Sequence, residues 1–284
     1  MARGQVDRAV RAHAELRVSA PLCPEPGGAK TVTAPCSETP PGGGASWDLA
    51  YVRDAPPVAF RATPEAVYLV GTAAFPVGDD CVSVEVEVGA GAALAVRSAA
   101  SMIAWASAQS RFDVGVTVGR GASLDWQLQP LVASSACHFS QQVRVRLDEG
   151  ATLLWSEELV LGRHGEPPGQ LDMALDVEYA GVPLLRHRLM LGPGAPGWDG
   201  PAVMGNERAI GLALIAGSGA HRGDAAAMGH ASGQEWAVMA LDGPAFLATA
   251  TGADLLGVRA SMNQVLDVWR KAGAGAGPVG RLRP

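Results

Sequence analysis

Apolar and polar positions recur in three matching segments near the middle of the chain: VEVEVGAGAALAV (84–96), VGVTVGRGASLDW (114–126) and VRVRLDEGATLLW (143–155). Aligned without gaps, they superpose Val86, Val116 and Val145, then Val88, Val118 and Leu147, and then the pairs Gly91-Ala92, Gly121-Ala122 and Gly150-Ala151. Leu94, Leu124 and Leu153 follow, and each copy closes on Val96, Trp126 or Trp155. Within each copy the apolar residues alternate on both sides of a glycine-containing break. That is the period-two signature of strands, not the 3.6 of a helix. Each copy therefore reads as strand, tight turn, strand, with the glycine supplying a positive φ in the turn. Copies spaced about thirty residues apart predict stacked units, because one unit alone has nothing against which to bury its apolar face. The fold class expected is mainly β: stacked hairpins or β-helix-like sheets in one large domain.

Outside the repeat, AELRVSA, VAFRA and EAVYLVG read as further strands among Pro and Gly clusters (PEPGG at 24–28, PPGGG at 40–44). Two more strand-like stretches, LDMALDVEYAGVPLLRHRLML and RAIGLALIAG, flank GPGAPGWDGPAVMG, whose composition permits only a loop. Near the C-terminus the period changes. Leu255, Val258, Met262, Val265, Leu266 and Trp269 fall at helical spacing, predicting a helix over about 253–271 with Thr251 or Asp254 as N-cap. A Met and a Trp on that stripe suit a partner groove, so these six are candidate partner-binding residues. The expected organisation is a flexible N-terminus (1–12), one β domain (13–271) and a flexible tail (272–284).

Composition narrows the function. The net charge is −6 with 18% charged residues, and the basic residues are nearly all Arg and scattered, so there is no nucleic-acid footprint. No apolar run reaches the roughly eighteen residues needed to span a bilayer, and no apolar leader opens the chain, which points to the cytoplasm. Cys23, Cys36, Cys81 and Cys137 are too few and irregular for a disulfide framework or a zinc knuckle. The six histidines form no metal-binding spacing. In the adjacent Cys137-His138 pair, strand neighbours point to opposite faces and so would not share a metal. GSGAHRG (217–223) is not a nucleophile elbow, and VGAGAALAV runs into a strand where a phosphate loop would open a helix. Carboxylates at Asp79, Asp80, Asp125, Glu157, Glu158 and Glu166 leave open a carboxylate-dependent hydrolase on a β-scaffold, or ordinary solvated strand faces. A structural repeat protein that binds partners without any metal role is a further alternative.

The order of short motifs resembles the urease accessory protein UreD (UreH) family: GDD (78–80), VEVEVGAGAAL (84–94), GASLDWQLQP (121–130), GATLLWSEELVLGRHGE (150–166) and QVLDVWR (264–270). The likeness runs from about residue 13 to 270, with LGRHGE after WSEE its most specific part. Two departures mark a divergent member. Asp79 stands where the family usually has Gly, and RSAASMIAWAS (97–107) replaces a polar, Thr-rich stretch. The resemblance implies a non-enzymatic chaperone that holds apo-urease together with UreF and, through UreF, the GTPase UreG. It also implies an internal passage carrying nickel in transit, with no tightly bound cofactor. The residues it matches, and so the candidates for lining such a passage, are Asp80, Asp125, Glu158, Arg163 and Glu166.

Overall fold

The computed structural model describes residues 9–21, 47–106, 109–217, 220 and 236–271, with 268–271 described as backbone only. PEPGG, PPGGG, Cys23, Cys36, His221, His230, most of GSGAHRG and the tail 272–284 lie outside the described residues. Four strands come first: β1 (Arg11–Ser19), β2 (Asp48–Arg53), β3 (Val58–Ala62) and β4 (Val67–Gly71). The repeats then supply β5 (Cys81–Val88) and β6 (Ala93–Ser98), followed by the short β7 (Met102–Ala104); β8 (Ser110–Val118) and β9 (Ser123–Gln127), followed by β10 (Leu131–Ala133); and β11 (His138–Leu147) and β12 (Thr152–Leu161). β13 (Gln170–Tyr179), β14 (Val182–Leu191), β15 (Ala209–Gly217), β16 (Trp236–Ala240), β17 (Ala245–Gly252) and helix α1 (Leu255–Lys271) complete the chain.

The two arms of each repeat belong to different sheets, which corrects the hairpin expectation. A seven-stranded sheet runs β14-β13-β11-β8-β5-β1-β2, and a ten-stranded sheet runs β16-β17-β15-β12-β9-β6-β4-β3 with β10 and β7 attached beyond β12. Each repeat is therefore an arch that carries the chain from one sheet to the other. Its arms pair in parallel with the same arms of the next copy, as in a β-helix. The register is the sequence alignment itself: Val86↔Val116 and Val116↔Val145 in one sheet, Leu94↔Leu124 and Leu124↔Leu153 in the other. Gly91, Gly121 and Gly150 all turn the arch at positive φ (72°, 64° and 77°), where a Cβ would be strained. Successive arches are also hydrogen-bonded to one another, the Gly91 N–H donating to the Arg120 carbonyl at 3.0 Å.

The inward faces of the two sheets form the main core. Val84, Val86 and Val88 and their equivalents in β8 and β11 oppose Leu94, Leu124 and Leu153, all buried. Each such side chain contributes on the order of 1.5–3 kcal/mol by leaving water. Trp126 and Trp155, in one column of the repeat, stack with ring centroids 4.8 Å apart and planes 7° apart. The outer face of the ten-stranded sheet is covered in part by α1. Val258, Met262, Val265 and Leu266 are at most 2% exposed and pack on Ala213, Ile215, Phe246 and Ala248. Gly211 admits the helix closely, since a Cβ there would lie 2.8 Å from Val258 and 3.0 Å from Met262. Asp254 caps the helix, its Oδ1 accepting from the Gly257 N–H at 2.9 Å.

Regular pairing in the ten-stranded sheet is interrupted beside β12, and at the same level between the first two repeats, where β6 and β9 pair as far as Arg97↔Gln127 and β7 and β10 resume at Met102↔Leu131. β9 pairs with β12 as far as Gln127↔Ser156, and β10 resumes at Leu131↔Leu159. Residues 128–130 and Glu157-Glu158 face each other across the interval without ladder pairing.

Candidate functional site

Alternation along β12 decides what lies at this interruption. Leu153, Trp155, Leu159 and Leu161 point into the space between the sheets, and Leu154 points outward to the cluster under α1. Glu157 therefore faces inward and Glu158 outward, one carboxylate on each side of the sheet.

Outside, Glu158 is 5% exposed and is gripped by Arg259 of α1, whose Nε and Nη2 donate to it at 2.9 and 2.7 Å. Arg259 Nη2 also donates to Gln129 Oε1 at 3.1 Å. A second buried pair lies on the same face. Arg97 Nη2 donates to Asp125 Oδ2 at 2.6 Å, and Gln127 Nε2 donates to Asp125 Oδ1 at 2.7 Å. Arg97, Arg259, Gln127, Gln129 and Glu158 line a cleft of about 280 Å³. Buried carboxylates matched to arginines in this way are held in place, and their lone pairs are already occupied.

Inside, Gln141 of β11 reaches across from the seven-stranded sheet, and its Nε2 donates to Glu157 Oε1 at 2.7 Å. The pair lines a void of about 40 Å³ with Trp126, Trp155, Phe112 and Met173. Glu157 is half-buried, and the desolvation of its carboxyl pushes the pKa up to about 7. Gln141 and the nearby Trp155 indole act in the opposite direction. Both polar residues interrupt the repeat. In β8 and β5 the positions registered with Gln141 are Phe112 and Val82, both buried apolar. The strand following Trp126 has Leu128 where the strand following Trp155 has Glu157.

The outer cleft and the inner pocket share Leu128, Gln129 and Glu158 as lining residues, so these three side chains stand between them at the interruption in the sheet. A third, mainly apolar cavity of about 310 Å³, lined by Phe75, Met102, Ile103 and Trp105, also reaches Leu128 and Gln129.

The residues matched by motif are dispersed by the fold. Asp80, at the start of β5, accepts from the Val10 N–H at 2.8 Å and the Val77 N–H at 3.0 Å, tying down two chain segments. Arg163 and Glu166 form an ion pair in the turn after β12. Arg163 lies over the Trp105 ring at 4.9 Å and holds the Glu166 carboxyl down to about 2. Asp125 and Glu158 border the outer cleft as arginine partners. Of the five, only Glu158 borders the pocket between the sheets, where Glu157, Gln141, Gln129 and Ser156 supply the rest of the polar lining. Motif matching selected Glu158 over its neighbour. The signal that finds Glu157 is parity, since two residues beyond a core Trp on a strand lies another inward position.

The helix stripe also needs correction. Val258, Met262, Val265 and Leu266 are core of this chain, not a face open to a partner; Leu255 is half-buried, and the Trp269 side chain lies outside the described residues. The physical reason is that β15 and β17 present an apolar outer face beside the helix, and that face takes up the stripe. In the Cys137-His138 pair, Cys137, just before β11, is buried and His138, the first residue of β11, is exposed. Burial raises the Cys137 thiol to about 11.

Fold and site together define a solenoid-like β scaffold that carries two buried carboxylate–arginine pairs and whose ten-stranded sheet loses its ladder pairing at one rung. The sequence model described as UreD urease accessory protein matches residues 53–283. The chain is 41% identical over 222 residues to urease accessory protein UreD 3 of Streptomyces griseus, covering 74% of this chain and 86% of that protein. It is 38% identical over 219 residues to urease accessory protein UreD of Streptomyces avermitilis, with the same two coverages. Against urease accessory protein UreD 2 of Saccharopolyspora erythraea it is 41% identical over 195 residues, covering 65% of this chain and 67% of that protein. The chain belongs to the UreD family of urease accessory proteins, and it is an accessory protein, not an enzyme. Among the described residues no helix is long and apolar enough to cross a membrane.

Proposed function

We propose that this chain holds apo-urease together with UreF and, through UreF, the GTPase UreG, and that nickel passes through its interior on the way to the urease active site. The observation that supports the reading is the interrupted rung. A half-buried carboxylate and amide oppose each other between the sheets where the neighbouring repeat carries Leu128 and Phe112, beside an interruption in the sheet with a pocket on either side. Two apolar side chains of similar volume would pack at least as stably there, and local departures of this kind gather at functional positions. Oxygen ligands around a small void hold a borderline divalent cation weakly, which transit requires and storage does not. The route runs from the Arg97–Arg259 cleft, past Leu128 and Gln129, to Glu157. Scaffolding is tested by co-expressing the intact chain with UreF and apo-urease and isolating it by affinity. Both partners are expected to be retained, and retention of neither overturns the reading.

A further inference from the structure

Gln141 is the one position where the seven-stranded sheet answers Glu157, and its chemistry differs from that of any charged residue in its place. A glutamine side chain carries a donor and an acceptor on the same carbon. Here the NH2 group donates to Glu157, and among the described residues the amide carbonyl accepts no hydrogen bond. The terminal torsion of glutamine is broad and roughly two-fold, so exchanging the two groups costs little beyond the bond that is broken. The void of about 40 Å³ has room for a cation with a water or two, since about 10–15 Å³ of such volume accommodates one water.

We propose that Gln141 is a two-position latch on the passage. Without a cation its NH2 group holds the Glu157 carboxyl; when a divalent cation enters, the amide turns over and its carbonyl oxygen joins the carboxylate as a second ligand. This inference rests on the passage reading above. It accounts for glutamine at a level where the sister strands carry Phe112 and Val82. A leucine would leave the carboxyl without a donor, a lysine or arginine would repel the cation, and a second carboxylate would hold the cation too tightly to release it.

The test is timed activation of apo-urease in the reconstituted complex with UreF and UreG, reading nickel per urease by elemental analysis for wild type, Glu157→Gln, Gln141→Leu and Gln141→Glu. Displacing a group that orients a metal ligand typically costs 10–100-fold in metal affinity. Gln141→Leu is accordingly expected to slow nickel transfer about tenfold, and Glu157→Gln at least as much. Gln141→Glu is expected to leave nickel on the scaffold, recovered with the chain after gel filtration. Thermal melting and retention of UreF report folding, and Gln141→Met, unbranched and of the same length, replaces leucine if leucine destabilises the chain. A wild-type rate for Glu157→Gln sinks the passage and the latch together. A slow Glu157→Gln with a wild-type rate for both apolar variants of Gln141 leaves the passage standing and overturns the latch. So does Gln141→Glu if no nickel stays with it.

Discussion

At the scale of single residues, Glu157 carries a cost that depends on pH. Its carboxyl titrates near 4.5 when solvated and at about 7 in the folded chain. A carboxyl whose pKa rises on folding binds its proton more tightly in the folded state. Its contribution to stability is therefore complete below pH 4.5 and is lost as pH climbs through about 7. Replacing Glu157 by glutamine fixes the protonated shape at every pH. Urea unfolding is expected to show little difference from wild type at pH 5 and a more stable variant at pH 8, by up to about 3 kcal/mol. Equal stability of the two proteins at pH 8 would mean that the carboxyl is solvated after all. Parity along β12 made this residue readable from sequence, because Trp155 marks the inward positions. Gln141 was not readable that way, since its partner lies on a different sheet, sixteen positions along the chain.

At the scale of elements, α1 is held by an apolar stripe and one buried ion pair. Its helical period was evident in the residues alone, which offered Thr251 or Asp254 as the cap; the structure selects Asp254. Which surface receives the stripe was not, because an amphipathic helix looks the same whether its own sheet or another protein covers it. Gly211 and the alanines of β15 and β17 decide the matter by letting the helix approach. Met262→Glu is therefore expected to unfold the chain, by placing a charge among Ala213, Ile215 and Phe246. Arg259→Leu, which strands Glu158 under the helix, is expected to cost about 3–5 kcal/mol, and the double variant Glu158→Leu/Arg259→Leu considerably less. Chemical denaturation of the three proteins checks the order; a double variant less stable than Arg259→Leu alone would contradict it. The arches teach the same lesson. Alternation and glycine placement predicted strand, turn and strand correctly, but whether two arms pair with each other or with neighbouring copies depends on the turn's direction, which composition does not encode.

At the scale of the whole molecule, the stack of three arches is interrupted at one rung of the ten-stranded sheet, and the proposed route from outside to inside runs through that interruption. The column of Val96, Trp126 and Trp155 follows the register of the ten-stranded sheet. The interval of three residues in one strand against two in the next then lets the ladder part beside Glu157 and Glu158. Such a mismatch depends on where two distant strands resume pairing, so no local pattern could reveal it. Leu128 occupies the parting and borders all three cavities, which makes it the place to close the route without touching a polar group. Leu128→Trp adds bulk where the surrounding space can take it. It is expected to leave the melting temperature and the retention of UreF and apo-urease near wild type, while nickel per urease after timed activation falls clearly below wild type. If the filled parting still passes nickel at the wild-type rate, the cation travels outside the protein, and the polar rung must be explained as a device for fixing the register of the two sheets.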